Sequence, residues 1–319
     1  MYKMVLEAAK RLDGLAHKTP VATSRLLNQR TENKVYLKCE NLQKIGAFKF
    51  RGAYNAICKM VERGETQRVL TFSSGNHAQA VAYAGSIFKL PTTVVMPENA
   101  PSAKLEATRS HGAEIITYNP ERTTREELAQ DLMKKGDYKL IHPYNNLDVI
   151  TGQGTAAKEL LEEYGDLDYL LVPCGGGGLL SGSAISSKHL APNCKVIGIE
   201  PKEADDATKS FYSGIIHKVH NPNTIADGVR TPYLGDITFK IIKEYVDEML
   251  TVTESEIIEA MYFVWTRMKL IVEPSGAVAL AALFSNKSGF KNKKIGVIIS
   301  GGNVDISKAC RIFAELQAY

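Results

Sequence analysis

The chain alternates short apolar runs with longer segments in which apolar residues recur every three or four positions. Runs rich in Val, Ile and Leu predict eight β-strands, at 34–38, 68–73, 92–97, 114–118, 169–174, 195–200, 248–253 and 294–300. Several of these runs are continuously apolar, which is typical of strands buried on both faces of a parallel sheet. The pattern therefore favours parallel sheets over antiparallel ones.

Helical periodicity fills the segments between the predicted strands. It predicts an amphipathic helix over the first 14 residues and further helices at 53–64, 76–88, 100–112, 125–136, 155–165 and 257–269. Thr253 and Glu256 have the spacing of a capping box ahead of the helix at 257–269. This alternation predicts open parallel α/β sheets, and eight strands are too many for one compact sheet. We therefore expect two α/β domains.

Composition and charge exclude several function classes. The 319 residues are 44% hydrophobic and 23% charged, which is ordinary for a soluble globular protein. The formal net charge is only +4, and no basic stripe with interleaved aromatic residues predicts a nucleic-acid partner. The longest apolar run, 277–284, is far shorter than the roughly 20 residues that a membrane-spanning helix needs. We therefore expect neither a nucleic-acid partner nor a membrane span.

The cysteines indicate a reducing compartment. Their number is odd, and no two of them form a CxxC pair; they are Cys39, Cys58, Cys174, Cys194 and Cys310. The N-terminal segment has mixed charges instead of the pattern of a signal peptide. Reduced thiols and a cytoplasmic location are expected.

Three polar loops that contain glycine follow predicted strands. Gly175 to Gly178 form four consecutive glycines between a buried strand and a helix, where backbone N–H groups can converge on a phosphate. The loop matches neither the P-loop nor the GxGxxG fingerprint, so a single phosphate monoester is expected. The alternative for this loop is a flexible turn. Loops 73–80 and 299–305 have the same place at strand ends, where α/β proteins form ligand sites.

Lys49 lies between two aromatic residues, Phe48 and Phe50, near the start of a predicted helix. By itself, such a lysine is more often a surface residue whose aliphatic stem covers apolar neighbours. Beside three candidate ligand loops, however, a lysine in an aromatic setting suggests a carbonyl cofactor that carries one phosphate. The aromatic setting is expected to desolvate the amine and lower its pKa.

The motifs F-K-F-R-G-A, S-S-G-N-H, G-G-G-G-L and S-G-G-N-V-D occur in this order. In combination they resemble the fold type II pyridoxal-phosphate enzymes, in particular the serine racemase and serine/threonine dehydratase family. The resemblance covers essentially the whole chain, and "EPKEADD", "TIADGV" and "RMKLIVEP" look closest to serine racemase and its near relatives. It implies a fold of the tryptophan synthase β type, in which two open α/β domains hold the cofactor in the cleft between them. The large domain is expected at 1–67 and 147–319, and the small domain at 68–146.

The resemblance also implies roles for individual residues around pyridoxal phosphate. Lys49 matches the lysine that forms a Schiff base with the cofactor, and Phe48 the residue that packs on its ring. Gly175, Gly176, Gly177, Gly178 and Leu179 match the backbone that holds the phosphate. Asn76 matches the partner of the ring hydroxyl, and Ser300 the partner of the ring nitrogen. A serine there leaves that nitrogen largely unprotonated, which suits elimination and proton exchange better than transamination.

Substrate contacts follow in the same way. Ser73, Asn76 and His77 match residues that hold the substrate carboxylate, and Arg125 matches an arginine that reaches the substrate when the small domain closes. Ser74 matches the serine that carries a proton on the face of the cofactor opposite the lysine in serine racemases. The alternative for Ser74 is a cap of the helix that begins near Asn76, and the alternative for Arg125 is a solvated charge on a helix.

The resemblance extends to effectors and assembly. Glu200, Asp206 and the carbonyl of Ala204 match the ligands of a divalent cation, and hard oxygen ligands suit magnesium, calcium or manganese. The alternative is an acidic helix start. Family members form homodimers, and eukaryotic racemases bind ATP at the dimer interface. The positions that match their nucleotide contacts are Gln79, Lys104, Lys269 and Asn303. His111 replaces the expected tyrosine, which leaves nucleotide stacking open.

The function that the resemblance implies is racemisation of serine together with β-elimination from L-serine and L-threonine, giving a 2-oxo acid and ammonia. A dedicated threonine/serine ammonia-lyase or L-threo-3-hydroxyaspartate dehydratase is the alternative, because relatives specific for that acid also carry S-S-G-N-H. A protein that holds the cofactor without turnover is a third, different class. The substrate in each enzymatic case is a small amino acid.

Overall fold

A computed structural model describes residues 1–65, 67–100, 102–285 and 289–317. The strands are β1 (Val21–Ala22), β2 (Lys34–Cys39), β3 (Arg68–Phe72), β4 (Thr92–Pro97), β5 (Glu114–Tyr118), β6 (Tyr138–Leu140), β7 (Tyr169–Pro173), β8 (Lys195–Pro201), β9 (Glu248–Val252) and β10 (Lys294–Ile299). All eight strands predicted from the sequence are confirmed to within one residue at each end. Strands β1 and β6 escaped prediction because runs of two and three residues show no measurable periodicity.

Helices connect and cover the strands. They are α1 (Tyr2–Leu12), α2 (Arg25–Thr31), α3 (Lys49–Glu62), α4 (Asn76–Ile87), α5 (Ser102–Ser110), α6 (Arg125–Lys135), α7 (Leu147–Gln153), α8 (Thr155–Glu163), α9 (Gly178–Leu190), α10 (Asp206–Ser213), α11 (Asp236–Tyr245), α12 (Glu254–Phe263), α13 (Pro274–Ala281) and α14 (Ile306–Gln317). The capping box of Thr253 and Glu256 is present at the start of α12. That helix ends six residues earlier than predicted, because the chain continues as a π-helical turn at Val264–Met268.

The larger sheet has the strand order β1-β2-β10-β7-β8-β9, and all its neighbours except β1 and β2 run parallel. Because β10 lies between β2 and β7, the loops that follow these three strands emerge side by side at one edge. Those loops lead to Lys49, to Ser300 and to Gly175. The order of the strands therefore collects three of the predicted site segments.

The smaller sheet has the order β5-β4-β3-β6 and is entirely parallel. Its central strand β3 leads to the loop at 73–75, and its neighbour β6 leads to Pro143. All four strands lie between Arg68 and Leu140, so we propose that residues 68–146 form the smaller of two domains, as expected from the resemblance. Among the described residues, no helix has both the length and the apolar character that crossing a membrane requires.

A buried ionic network supports the start of α3. Arg51 is completely buried and pairs with Glu40, also completely buried, at 2.7 Å between Nε and Oε2. The same guanidinium pairs with Glu159 of α8, which also accepts from Lys38 of β2. Burial by itself would raise the pKa of Glu40, but Arg51 overrides this and holds that pKa below its usual value. The network ties β2, α3 and α8 together two residues from Lys49.

We expect Arg51→Ala to lower the free energy of unfolding of the cofactor-free protein by about 3–5 kcal/mol, because it leaves Glu40 charged and unpaired in the interior. Urea titration followed by circular dichroism measures this change. Lys134→Ala is the control, since Lys134 and its partner Asp131 are 75% and 57% exposed, and it should change stability by no more than about 0.5 kcal/mol. A loss below 1 kcal/mol for Arg51→Ala would contradict the structural importance of the network.

Candidate active site

Lys49 lies between the two sheets. It is the first residue of α3, and the preceding Phe48 donates its backbone N–H to the carbonyl of Ser300 at 3.1 Å, directly after β10. The Nζ atom of Lys49 donates to the carbonyl of Pro143 at 2.9 Å, just beyond β6. The lysine side chain thus reaches from the edge of the larger sheet to the edge of the smaller one.

The amine of Lys49 has an environment that favours its neutral form. Burial lowers its pKa to about 8, and Nζ lies 5.1 Å from the centre of the Phe48 ring. The shift has the direction that the sequence predicted from the aromatic setting. A neutral amine is the nucleophilic form, so Lys49 suits attack on a carbonyl group.

The glycine loop has backbone donors and no room for side chains. Gly177 has φ of +87° and precedes α9, which begins without a side-chain cap. A Cβ atom on Gly176 would lie 2.3 Å from the ring of Tyr144, so larger residues do not fit there. Within the described residues, no backbone N–H from Gly175 to Leu179 donates to a protein oxygen. These N–H groups, at the positive end of a 13-residue helix, fit a phosphate group.

The loop between β3 and α4 has a similar set of free donors. Gly75 is the N-cap residue of α4, so no side chain at this position caps the helix. The hydroxyl of Ser73 accepts from the N–H of Gly75 at 3.2 Å. Within the described part of the chain, the N–H groups of Ser74, Asn76 and His77 donate to no protein oxygen. Ser74 does not cap the helix, which removes the alternative considered for it. The loop fits a carboxylate.

His77 is held as a neutral imidazole. Its side chain is buried, and Nε2 donates to the carbonyl of Ile141 at 3.1 Å. Burial and then the nearby Lys49 lower its pKa well below the usual value. Because the ring is engaged with Ile141, the backbone N–H of His77 is the group that is available to a carboxylate in this loop.

A buried carboxyl group that the sequence analysis missed joins Asn76 to the larger sheet. Glu273 precedes α13 and accepts from Nδ2 of Asn76 at 2.8 Å. Burial, followed by the charge of Asp227, raises the pKa of Glu273 to about 8. Asn303 donates to Oδ1 of Asn76 at 2.9 Å, and the nearby Ser300 hydroxyl donates to Ser275 at 3.3 Å. The signal in the sequence was a single acidic residue beside the apolar segment that forms α13.

Arg125 lies at the smaller sheet, close to the lysine. Its guanidinium carbon is 5.3 Å from the centre of the Phe72 ring, and Nε donates to Glu126 at 2.8 Å. The edge of His142 contacts Phe72, and burial, with Arg125 and Lys49, lowers the His142 pKa to about 4. Both cations are therefore close enough to act on the same imidazole.

The predicted metal ligands meet at the end of β8. Glu200 and Asp206 are both buried, and Oδ2 of Asp206 has no hydrogen-bond partner among the described residues. Burial and then Asp206 raise the pKa of Glu200 well above its usual value, and burial raises that of Asp206 to about 7. No group of three or more His, Cys, Asp and Glu side chains within the described ranges forms a metal site. The predicted set contains only two such side chains, Glu200 and Asp206, because its third ligand is the backbone carbonyl of Ala204.

The structure brings only part of the predicted nucleotide set together. Lys269 and Asn303 line one pocket of about 290 Å³, with Asn41, Leu42, Gly46, Leu270, Ile271 and Gly302. Lys104 instead forms an ion pair with Asp227, and Gln79 is on α4. His111 packs on Tyr83, with ring centres 5.1 Å apart. Lys104 and Gln79 are not among the residues that line this pocket.

Comparison with known proteins agrees with this geometry. The family described as "Pyridoxal-phosphate dependent enzyme" matches residues 12–301. The chain is 48% identical to the L-threo-3-hydroxyaspartate ammonia-lyase of Saccharomyces cerevisiae over 307 residues, covering 96% of this chain and 94% of the relative. It is also 48% identical to the serine racemase of Schizosaccharomyces pombe over 314 residues, covering 98% of this chain and 97% of the relative.

Solved structures lead to the same family. The serine racemase of Dictyostelium discoideum superposes with a TM-score of 0.90 at 48% identity, over 96% of this chain and 99% of that one. Maize serine racemase superposes with a TM-score of 0.93 at 38% identity, over 99% of this chain and 98% of the maize chain. The fold expected from the sequence, that of a fold type II pyridoxal-phosphate enzyme, is confirmed.

Lys49 should capture the aldehyde of pyridoxal 5′-phosphate at a rate that rises with pH and levels off above a midpoint near 8. Only the neutral amine attacks, so the rate at pH 6 should be roughly 100-fold below the plateau. Stopped-flow absorbance of the cofactor-free protein measures it. Free lysine acetylated on its α-amino group serves as the control, because the rate of its side-chain amine should keep rising to about pH 10.

Lys49→Ala should show neither the yellow absorbance of bound cofactor nor turnover. A yellow, active Lys49→Ala protein would refute the assignment of this lysine. A midpoint near 10 for the parent would instead show that the site does not desolvate the amine.

Proposed function

The chain belongs to the family of pyridoxal-phosphate-dependent enzymes, and from this membership and the geometry of the site we propose that it racemises serine. We propose in addition that it converts L-serine to pyruvate and ammonia, and L-threonine to the corresponding 2-oxo acid and ammonia. The bound cofactor withdraws electrons from the substrate and thereby acidifies its Cα–H bond. The residues of the chain bind both molecules and move the protons.

Binding of the cofactor is assigned to the residues around Lys49. The free N–H groups from Gly175 to Leu179 would hold the phosphate. Phe48, whose ring lies beside the lysine amine, would pack on the pyridine ring. Asn76 and Ser300 would contact the ring hydroxyl and the ring nitrogen. Because Ser300 is a neutral hydroxyl, it would not stabilise a protonated ring nitrogen as a carboxylate would. To donate to that nitrogen, its hydroxyl would turn away from the carbonyl of Ser275.

The observation that carries the racemase proposal is the state of the loop at 73–77. Ser73, Asn76 and the backbone of His77 would hold the substrate carboxylate, which leaves the Ser74 hydroxyl beside Cα and free of any cap. Lys49 would serve one face of the substrate as acid and base, and Ser74 the other. Inversion at Cα needs a proton carrier on each face, whereas elimination needs only one.

A second candidate, an ammonia-lyase for L-threo-3-hydroxyaspartate, is favoured by Arg125. This guanidinium donates through Nε to Glu126, and its terminal nitrogens have no protein acceptor among the described residues. It is close enough to His142 to lower the pKa of that imidazole. A second carboxylate on the substrate would pair with such a cation, and serine lacks that group. The relative in Saccharomyces cerevisiae carries that activity in its name.

The remaining proposals concern assembly, effectors and location. We propose a homodimer, supported by the exposed apolar side chains of Leu42 and Ile271 on the rim of the pocket that holds Lys269 and Asn303. A nucleotide such as ATP would bind in that pocket and use Lys104 and Gln79, provided that Lys104 leaves Asp227. All five cysteines are free, which supports a cytoplasmic location.

A divalent cation is proposed at Glu200, Asp206 and the carbonyl of Ala204. The support is electrostatic: two carboxyl groups are buried together, and one oxygen of Asp206 has no partner among the described residues. Magnesium, calcium or manganese would offset the charge and complete its shell with water. Thr208 and Ala207 already orient Glu200 through their backbone N–H groups.

Product analysis tests the proposed function against its competitors. The holoenzyme is incubated separately with L-serine, L-threonine and L-threo-3-hydroxyaspartate, and D-isomer, 2-oxo acid and ammonia are measured, with and without magnesium–ATP. D-serine together with pyruvate supports the racemase. Oxo acid from hydroxyaspartate alone supports the second candidate, and no product from any substrate supports a protein that only holds the cofactor. A rate unaffected by magnesium–ATP would remove the proposed activation.

Ser74→Ala should reduce the conversion of L-serine to D-serine by about 100-fold or more, since a positioned proton carrier contributes that much. Dehydration of L-serine should fall much less, because Lys49 acts on that face. Dehydration of D-serine should fall most. Chiral chromatography and a pyruvate assay on the same samples provide the two readouts, and unchanged racemisation in Ser74→Ala would assign the second face to another residue.

Removal of divalent cations should lower the melting temperature of the parent protein, and magnesium at 100 times its Kd should restore about 2.7 kcal/mol of stability. Glu200→Gln and Asp206→Asn should abolish this response, because they remove the anionic ligands. Glu203→Gln, on the neighbouring turn, is the matched control and should respond as the parent does. A parent that responds neither in melting temperature nor in activity to exhaustive chelation would exclude the cation site.

A further inference from the structure

Gln153 is a buried amide at the start of α9. It is the last residue of α7, and its side chain is fully inaccessible to solvent. Its Oε1 lies 2.6 Å from where a Cβ atom on Gly178 would be, and its Cγ lies 2.9 Å from the same point on Gly52. Gln153 therefore fills the space between the first residue of α9 and α3, one turn beyond Lys49.

Both polar atoms of this side chain are without a partner. Neither Oε1 nor Nε2 of Gln153 has a hydrogen bond among the described residues. The neighbouring buried amide of Asn55, by contrast, donates to the carbonyl of Asp148 at 2.7 Å. Leaving a buried polar group unpaired costs about 1–3 kcal/mol, so an amide with two such atoms needs a partner that is not part of the protein.

The glycine loop supplies no cationic side chain that could donate to an anion. From Pro173 to Ser187 the sequence contains no lysine, arginine or histidine, so backbone N–H groups are the donors that the loop itself provides. Those N–H groups from Gly175 to Leu179 are also free in the described structure. An unpaired amide and unpaired backbone donors thus meet at one helix N-terminus, which is a favourable place for an anion.

We propose that Gln153 is a further binding residue for the phosphate of the cofactor. Rotation of the terminal amide by 180° brings Nε2 to the place that Oε1 occupies beside Gly178. Nε2 then donates to a phosphate oxygen, directly or through one bound water, and so adds a side-chain donor to the backbone donors of α9. The proposal rests on the placement of the phosphate at the glycine loop under the proposed function. It assigns a binding role to a residue that otherwise has no explanation in the core.

Ligands with and without the phosphate group test this role. Gln153→Met keeps the length of the side chain and removes the donor, and Gln153→Glu keeps the size and adds a negative charge. We expect the affinity for pyridoxal 5′-phosphate to fall about 10-fold in the first and about 100-fold in the second, with the affinity for pyridoxal unchanged. Both affinities are read from the visible absorbance of the cofactor-free protein during titration. Tenfold corresponds to about 1.4 kcal/mol.

Inorganic phosphate provides a readout that is independent of Lys49. It should raise the melting temperature of the cofactor-free parent, and it should do so much less in both variants. Ser183→Ala is the matched control: its buried hydroxyl is also unpaired among the described residues, but it lies five residues further along α9, roughly 7.5 Å from Gly178. This control should bind both ligands and phosphate as the parent does.

Two outcomes would overturn the proposal, and they are distinguishable. If Gln153→Met weakens pyridoxal and pyridoxal 5′-phosphate equally, Gln153 only packs the core, and the glycine loop keeps its role. If the parent itself binds both ligands equally and does not respond to phosphate, the loop is not the phosphate site, and the placement of the cofactor fails with it. A loss of stability weakens both ligands by the same factor and leaves the ratio of the two affinities unchanged, so a changed ratio reports the contact with the phosphate.

Discussion

The position of Lys49 depends on the ionic network of Arg51, Glu40, Glu159 and Lys38. The guanidinium uses Nε, Nη1 and Nη2 on the two carboxylates, and Lys38 adds a bond to the carbonyl of Thr19 at 2.7 Å. Buried ion pairs contribute little net stability compared with an apolar core, but they allow few alternative arrangements of the chain. Here the network fixes β2, the turn that follows it and the first turn of α3 as one unit. Because Lys49 is the first residue of α3, this unit determines where its amine lies.

Sheet topology then determines what the lysine faces. Adjacent strands β2, β10 and β7 bring Phe48, Ser300 and Gly175 to one edge, whatever the exact sequence of the loops. The smaller sheet presents Ser74 from β3 and Pro143 from β6 across the gap. Polar contacts that span it include those from Lys49 to Pro143, from Asn76 to Glu273 and from Asn76 to Asn303. A substrate bound in this gap, as the proposed function requires, would contact both sheets at once.

The sequence predicted the strands, the loops and the lysine, because periodicity and glycine runs are local signals. It did not predict which loops would meet, since strand order is not encoded in any one segment. Glu40 and Glu273 escaped prediction because a buried carboxylate has the same letter as a surface one. Gln153 was missed for a related reason: an amide in a helix is ordinary until its surroundings are known. The motif resemblance supplied residue roles that neither periodicity nor composition could give.

The site consists mainly of groups that are held neutral or lack a charge altogether. Burial lowers the pKa of His77 and His142 and raises that of Glu273, so three ionisable side chains near the cleft favour their uncharged forms at neutral pH. Burial also lowers the pKa of Lys49 to about 8, which brings its neutral form within reach just above neutral pH. Where fixed charges are few, the dipoles of N–H groups at the starts of α9 and α4 become the main attraction for anions. A phosphate and a carboxylate are the anions that these two helix ends would receive. Under the proposed function, proton transfer at Cα would then take place between them, next to an amine whose pKa burial has lowered to about 8.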